Sequence, residues 1–279
     1  MVRAMRAFAF PIAAAVLTAG FAFPAGAAEG AWAEGARASV RLIAAGIGED
    51  GTLDAGIEIV LPEGWHTYWR QPGDAGIAPI FDFSASRNVA SADVSFPAPA
   101  RLDDGFTVTN IYEGSVVLPV RVVATDPGSP VDLAVTIELG VCDDICVPDT
   151  VTAALTIPPG GPDVRSSDTL AAARAAVPTE AEAGAFAVTS AVRAGGTDKK
   201  PVFRISAVVP DPENAVLFVE APDNWRAYAP VAVSASGTEA VWDVKFSRRG
   251  VEGPVGSAEL RLTITAGDRA IEQVVVTAD

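Results

Sequence analysis

The sequence predicts an all-β protein, two immunoglobulin-like β-sandwich domains joined by a short helical linker. Three observations predict it. Apolar and polar residues alternate, as in half-buried strands, over residues 39–43, 52–61, 116–123, 131–139 and 151–157. Turn-forming clusters separate such stretches: Glu49-Asp50-Gly51, Gln71-Pro72-Gly73, Asp126-Pro127-Gly128 and Asp211-Pro212-Glu213. Nowhere do strands alternate with long helices, which argues against a parallel α/β sheet.

In chain order, residues 1–27 read as a signal peptide. Arg3 and Arg6 precede an apolar run over residues 7–22, and Ala25-Gly26-Ala27 supplies the small residues of a cleavage site. The run is short for a membrane span and carries Pro11 near its start, so stable membrane insertion is not expected. Residues 28–160 form the first predicted sandwich. The sheet pattern stops at Pro158-Pro159-Gly160-Gly161-Pro162, and residues 161–184 read as a linker. Its alanine-rich stretch, residues 167–176, predicts a short helix capped by Asp168, with Pro178 ending the region. Residues 185–279 form the second sandwich, with strands over residues 202–209, 215–220, 240–246, 260–265 and 271–277.

The 279 residues carry a net charge of −15, and loss of Arg3 and Arg6 with the leader makes the remainder more acidic. Nucleic acid and anionic lipid are therefore poor partners. Both methionines, Met1 and Met5, lie in the leader, and His66 is the one histidine. Soft-metal binding is correspondingly restricted.

The two cysteines, Cys142 and Cys146, are the most informative residues. An exported chain of this size has no need of disulfides to fold. Strands on either side predict a tight hairpin with a three-residue loop, Asp143-Asp144-Ile145, that sets the cysteines opposite each other. Opposed positions bring Cβ atoms to about 4.5–5.5 Å, near what a disulfide requires. A structural bridge is one reading, although so small a ring contributes only about 2 kcal/mol of loop entropy. A metal site is another, with two thiolates and His66 as at most three ligands. A thioredoxin-type motif is a poor fit, since the spacing is longer and two carboxylates between the thiols disfavour a thiolate. Attack on the disulfide by a partner's thiolate is the natural chemistry. Pro148, just beyond Cys146, suggests restricted access there and hence Cys142 as the partner-linked residue.

Three further segments belong with this hairpin: Gly64-Trp65-His66-Thr67-Tyr68-Trp69-Arg70-Gln71-Pro72-Gly73-Asp74-Ala75-Gly76, then Phe96-Pro97-Ala98-Pro99, then Val116-Val117-Leu118-Pro119-Val120, ahead of the hairpin's own Cys142 to Pro148. In this order they resemble the periplasmic N-terminal region of DsbD-like and ScsB-like thiol:disulfide interchange proteins, over about residues 35–160. The two-sandwich layout resembles the longer ScsB-type region. The resemblance implies a periplasmic redox shuttle whose pair, matched by Cys142 and Cys146, takes electrons from a membrane-embedded donor and passes them to thioredoxin-like proteins. It implies a cap loop at Asp103-Asp104-Gly105-Phe106, followed by Ile111-Tyr112, in which Phe106 covers the disulfide. It also implies an aromatic strand, Thr67-Tyr68-Trp69-Arg70, beside the cysteines, with Trp69 as their nearest neighbour. The expected surround is therefore Phe106, Trp69, Tyr68 and Tyr112, with no cofactor and no metal.

Trp65 reads as core packing, and His66 as an ordinary histidine at a strand end. The family's transmembrane and C-terminal thioredoxin-like domains have no counterpart in these residues, so electron donor and acceptor are expected in trans. The expected activity is that of a protein-disulfide reductase acting through partners. The alternative is a non-enzymatic binding or scaffolding sandwich with an inert disulfide, accessory to metal resistance or cytochrome maturation.

Overall fold

The computed structural model describes residues 29–159, 164–250 and 253–278; the expected signal peptide at residues 1–27 lies outside them. The architecture is almost entirely β. Strands β1 (Ala33–Glu34), β2 (Ser39–Ile47), β3 (Thr52–Val60), β4 (His66–Gly73), β5 (Ile80–Asp82) and β6 (Val89–Val94) open the chain. They are followed by β7 (Ala100–Asp103), β8 (Val108–Glu113), β9 (Ser115–Ala124), β10 (Val131–Cys142) and β11 (Cys146–Ile157). These strands make two sheets, one in the order β1-β2-β3-β9-β6 and one in the order β11-β10-β4-β8-β7, with β5 pairing β10.

Alternation explains why these residues pair as sheets. Along β10 the side chains of Val131, Leu133, Val135, Ile137, Leu139 and Val141 are all buried, while those between them turn outward. They meet Leu42, Ile57, Ile59, Leu118 and Val120 from the first sheet in one core. Each fully buried Leu or Ile contributes about 1.5–3 kcal/mol.

Helix α1 (Val164–Ala175) follows, and it differs from expectation in two ways. It starts as soon as the chain leaves the proline-rich break, so Asp168 lies within the helix rather than at its cap. Asp168 and Thr169 are on its solvent side, where a polar run costs little. The helix is also docked. Leu170 and Ala173 are buried, Leu170 fills the space that Gly56 of β3 leaves open, and Arg174 pairs with Asp54 at 2.6 Å.

The rest of the chain forms β12 (Thr179–Glu180), β13 (Ala187–Thr197), β14 (Lys200–Val208), β15 (Val216–Glu220) and β16 (Trp225–Ala227). It ends with β17 (Val231–Ser236), β18 (Glu239–Arg248), β19 (Glu259–Ala266) and β20 (Arg269–Val276). One sheet runs β12-β20-β19-β15 and the other β13-β14-β18-β16, with β17 on β18. Phe186, Phe203, Trp242 and Phe246 anchor their common core.

The two halves are packed together through β4. Phe218 of β15 belongs to the first core and meets Trp69 edge-on, ring centroids 5.8 Å apart. Arg70 lies over Trp69 and pairs with Glu220 at 2.7 Å and with Glu272. Arg226 reaches Asp74 at 3.3 Å. No helix of the described residues is long and apolar enough to cross a membrane.

Candidate redox site

The ladder between β10 and β11 runs without a break from Val131 opposite Ile157 to Cys142 opposite Cys146. Asp143-Asp144-Ile145 closes it, the Asp143 N–H donating to the Ile145 carbonyl at 3.1 Å. Cys142 and Cys146 form a disulfide, their Cα atoms 4.1 Å apart. That is the close approach of a non-hydrogen-bonded antiparallel pair, about 4.5 Å.

The two sulfurs have different surroundings because their strands do. β11 is the edge of its sheet, whereas β10 lies between β11 and β4. Cys142 is accordingly 1% exposed, packed with Tyr68 and Ile111, while Cys146 is exposed. Pro148, itself exposed, does not cover Cys146.

The Tyr68 ring stands in a slot made by two glycines. A Cβ on Gly140 would approach the ring to 3.3 Å, and one on Gly76 would collide with it. Gly76 also has φ of 105°, which side-chain-bearing residues seldom adopt. Held there, the tyrosine hydroxyl donates to Cys142 Sγ at 3.0 Å and lies 3.3 Å from Cys146 Sγ. Burial, and then the Asp104 carboxylate, push Tyr68 above its ordinary pKa, so it stays a donor throughout the neutral range.

Of the expected surround, only Tyr68 touches the disulfide. Trp69 follows it in an extended strand and points to the opposite face, 1% exposed in the core. Tyr112 is also in the core and donates to the Pro97 carbonyl at 2.6 Å. Phe106 lies in the implied cap loop, yet it is 96% exposed and covers nothing in this conformation. The loop explains why. The Asp103 carboxylate accepts from the Gly105 N–H, and that of Asp104 from Phe106 and Thr107, so the turn is tied to itself with its tip in solvent. His66, at the start of β4 as expected, sits directly opposite Cys142 and edge-on to Tyr68, with ring centroids 5.5 Å apart. The sequence signal was available in the spacing: His66 and Tyr68, two apart in a strand, share a face.

The fold and site define a β-sandwich protein with a half-exposed disulfide at the end of a hairpin. Residues 39–158 match the family described as thiol:disulfide interchange protein DsbD, N-terminal, and form a DsbD/ScsB N-terminal-like domain. The structure is similar to the crystal structure of the N-terminal periplasmic domain of ScsB from Proteus mirabilis, with a TM-score of 0.73 and 19% identity. That likeness, one of fold, covers 90% of this chain and 99% of the other. No curated protein matches the chain.

Proposed function

We propose that this protein exchanges thiols in trans through the Cys142–Cys146 pair, passing electrons between redox partners in the periplasm. Its partners are thioredoxin-like proteins and a membrane electron donor, and the two halves of the chain act as two immunoglobulin-like sandwiches after export. The observation that carries the reading is the asymmetry of the bond: an exposed Cys146 joined to a buried Cys142 whose sulfur already accepts a hydrogen bond.

That asymmetry assigns the steps. A partner thiolate attacks Sγ of Cys146, the exposed cysteine of the two, and the Cys142–Cys146 bond breaks. Cys142 departs as a thiolate into the hydrogen bond from Tyr68, which strengthens as charge develops. A second partner thiol then attacks the mixed disulfide, leaving the pair reduced and the partner oxidised. This reverses the assignment drawn from Pro148 in the sequence.

The test is to make Cys142→Ala and Cys146→Ala separately, express each in the periplasm, and examine non-reducing gels for reducible adducts. Adducts are expected from Cys142→Ala, whose Cys146 remains accessible, and not from Cys146→Ala. The wild-type bond should have a potential above about −300 mV, the range of carriers rather than structural bridges. No adduct from either variant, with a potential below that value, leaves an inert disulfide as the better account.

A further inference from the structure

Four directly opposed residues cross the second sheet in a single row: Cys146 on β11, Cys142 on β10, His66 on β4 and Glu113 on β8. Opposed residues of antiparallel strands share a face, with Cβ atoms about 4.5–5.5 Å apart. The imidazole therefore stands between the buried cysteine on one side and a carboxylate on the other. A nucleophile, a base and a group that orients the base recur in this order wherever a weak nucleophile has to be activated.

We propose that His66 is the base that takes the proton from the Cys142 thiol in the step that re-forms the disulfide, with Glu113 orienting the imidazole. This deepens the thiol–disulfide exchange reading and rests on it. When the dithiol reduces a partner's disulfide, the Cys146 thiolate attacks one partner sulfur and expels the other as a thiolate. Cys142 must then become a nucleophile while 1% exposed. Its S–H proton passes to the imidazole and its sulfur attacks Cys146 Sγ. The Cys142–Cys146 bond forms as the bond from Cys146 to the partner breaks, and the partner's remaining sulfur leaves as a thiolate. Two electrons have moved from the cysteine pair to the partner, and the imidazolium passes its proton to water.

Cys142 needs the help. A free thiol has a pKa near about 8.5, and burial beside the Asp143 carboxylate disfavours its thiolate further. The groups facing His66 are Cys142 from β10, Asp143 from the hairpin loop, Glu113 from β8 and Tyr68 from its own strand. Burial is the largest influence on the imidazole and lowers its pKa, against the opposing pull of Asp143 and then Glu113. It is therefore neutral at pH 7, the form that accepts a proton.

The experiment mixes the reduced protein with Ellman's reagent and follows the coloured thiolate. The first release reports attack by Cys146, the second the closure by Cys142. In the wild type the second phase should be flat with pH above about 6.5, the ordinary imidazole value, and fall only below it. In His66→Gln it should climb about tenfold per pH unit through the neutral range and on past about 8.5, the free-thiol value that burial raises for Cys142. It should be about 100-fold slower than wild type near pH 6, the typical effect of removing a positioned base. Free imidazole should restore part of the rate to His66→Ala. Glu113→Gln, at an exposed position, should move the wild-type inflection to lower pH because a carboxylate that raises the imidazole pKa is gone. Superimposable pH profiles for His66→Gln and wild type overturn the proposal. Should His66→Gln not fold, an unmoved inflection in Glu113→Gln does the same. A wild type that releases no coloured thiolate at all would instead sink the exchange reading itself.

Discussion

Tyr68 and Trp69 are neighbours in one strand and do opposite work. Trp69 faces inward, shared between the first core and Phe218 of the second half, with Arg70 laid across it and tied to Glu220 and Glu272. Tyr68 faces outward into a slot kept open by Gly76 and Gly140, and its hydroxyl touches both sulfurs. The inner face of the sheet is fixed by apolar burial, which tolerates no loss of volume. On the outer face a small buried cluster of Tyr68, Ile111 and Cys142 holds the ring, and the hydroxyl adds the polar contacts to the sulfurs. Stability and chemistry are thus separated by the two-residue period of a strand.

The largest expected effect is on the inner face. Trp69→Ala should destabilise the protein by about 3–5 kcal/mol, as large-to-small changes of buried aromatics do. It should also loosen the second half, seen as a new, earlier transition in thermal unfolding. The folded fraction should still exchange its disulfide. An unchanged unfolding midpoint would show that the junction at Phe218 carries little of the stability.

Asp149 is the polar member of the inner-face series on β11, 5% exposed. Burial raises its pKa, but N–H groups of Ala38, Ala36, Arg37 and Thr150 outweigh that and hold the carboxyl below its usual range. Because the folded-state pKa is depressed, the stabilisation is fully present above the unfolded value of about 3.9 and is lost as pH falls through the folded value. Asp149→Asn should cost about 1–3 kcal/mol at pH 7, and the gap from wild type should narrow below about pH 4. A gap that stays constant with pH would mean that shape, not charge, matters at this position.

The cysteine hairpin and its three-residue loop were legible in the sequence because they depend on contacts close along the chain. Residue alternation also separates Tyr68 from Trp69, but the resemblance put Trp69 beside the disulfide, and only the burial of its neighbours in the core settles the parity. The unequal exposure of Cys142 and Cys146 was not legible. It follows from β4 covering β10 and leaving β11 at the edge, a pairing between residues more than seventy positions apart. The row that His66 and Glu113 make with the cysteines was hidden for the same reason, since it exists only once β8, β4, β10 and β11 are in register; the spacing shows only that His66 shares the face of Tyr68. The Asp168 cap failed because a polar run has a second way to be satisfied, on the solvent face of a helix that began earlier.

On the outer face the smaller effects begin. Tyr68→Phe removes one hydroxyl and keeps the ring in its slot, so stability should change by no more than about 1 kcal/mol. Reduction of the disulfide by a small thiol should slow by about tenfold, because the departing Cys142 thiolate loses its charge-assisted donor. A large stability loss with an unchanged rate would place Tyr68 with Trp69 as a packing residue.

Phe106 should give the smallest effect, and its direction discriminates between an open and a closed loop. At 96% exposure its removal deletes almost no packing, so Phe106→Ala should leave stability within about 0.5 kcal/mol. A small thiol should reduce the disulfide at the wild-type rate, since nothing is uncovered when an already exposed ring is cut away. Exchange with a folded thiol protein is different, because Phe106 and Ile145, 63% exposed in the hairpin loop, offer apolar surface for a partner to bury. That rate should fall, by up to about tenfold if a partner covers most of the ring. A faster reaction with the small thiol would show that the loop spends most of its time closed over the sulfurs, with Phe106 acting as the cover that the resemblance to DsbD-like domains implies.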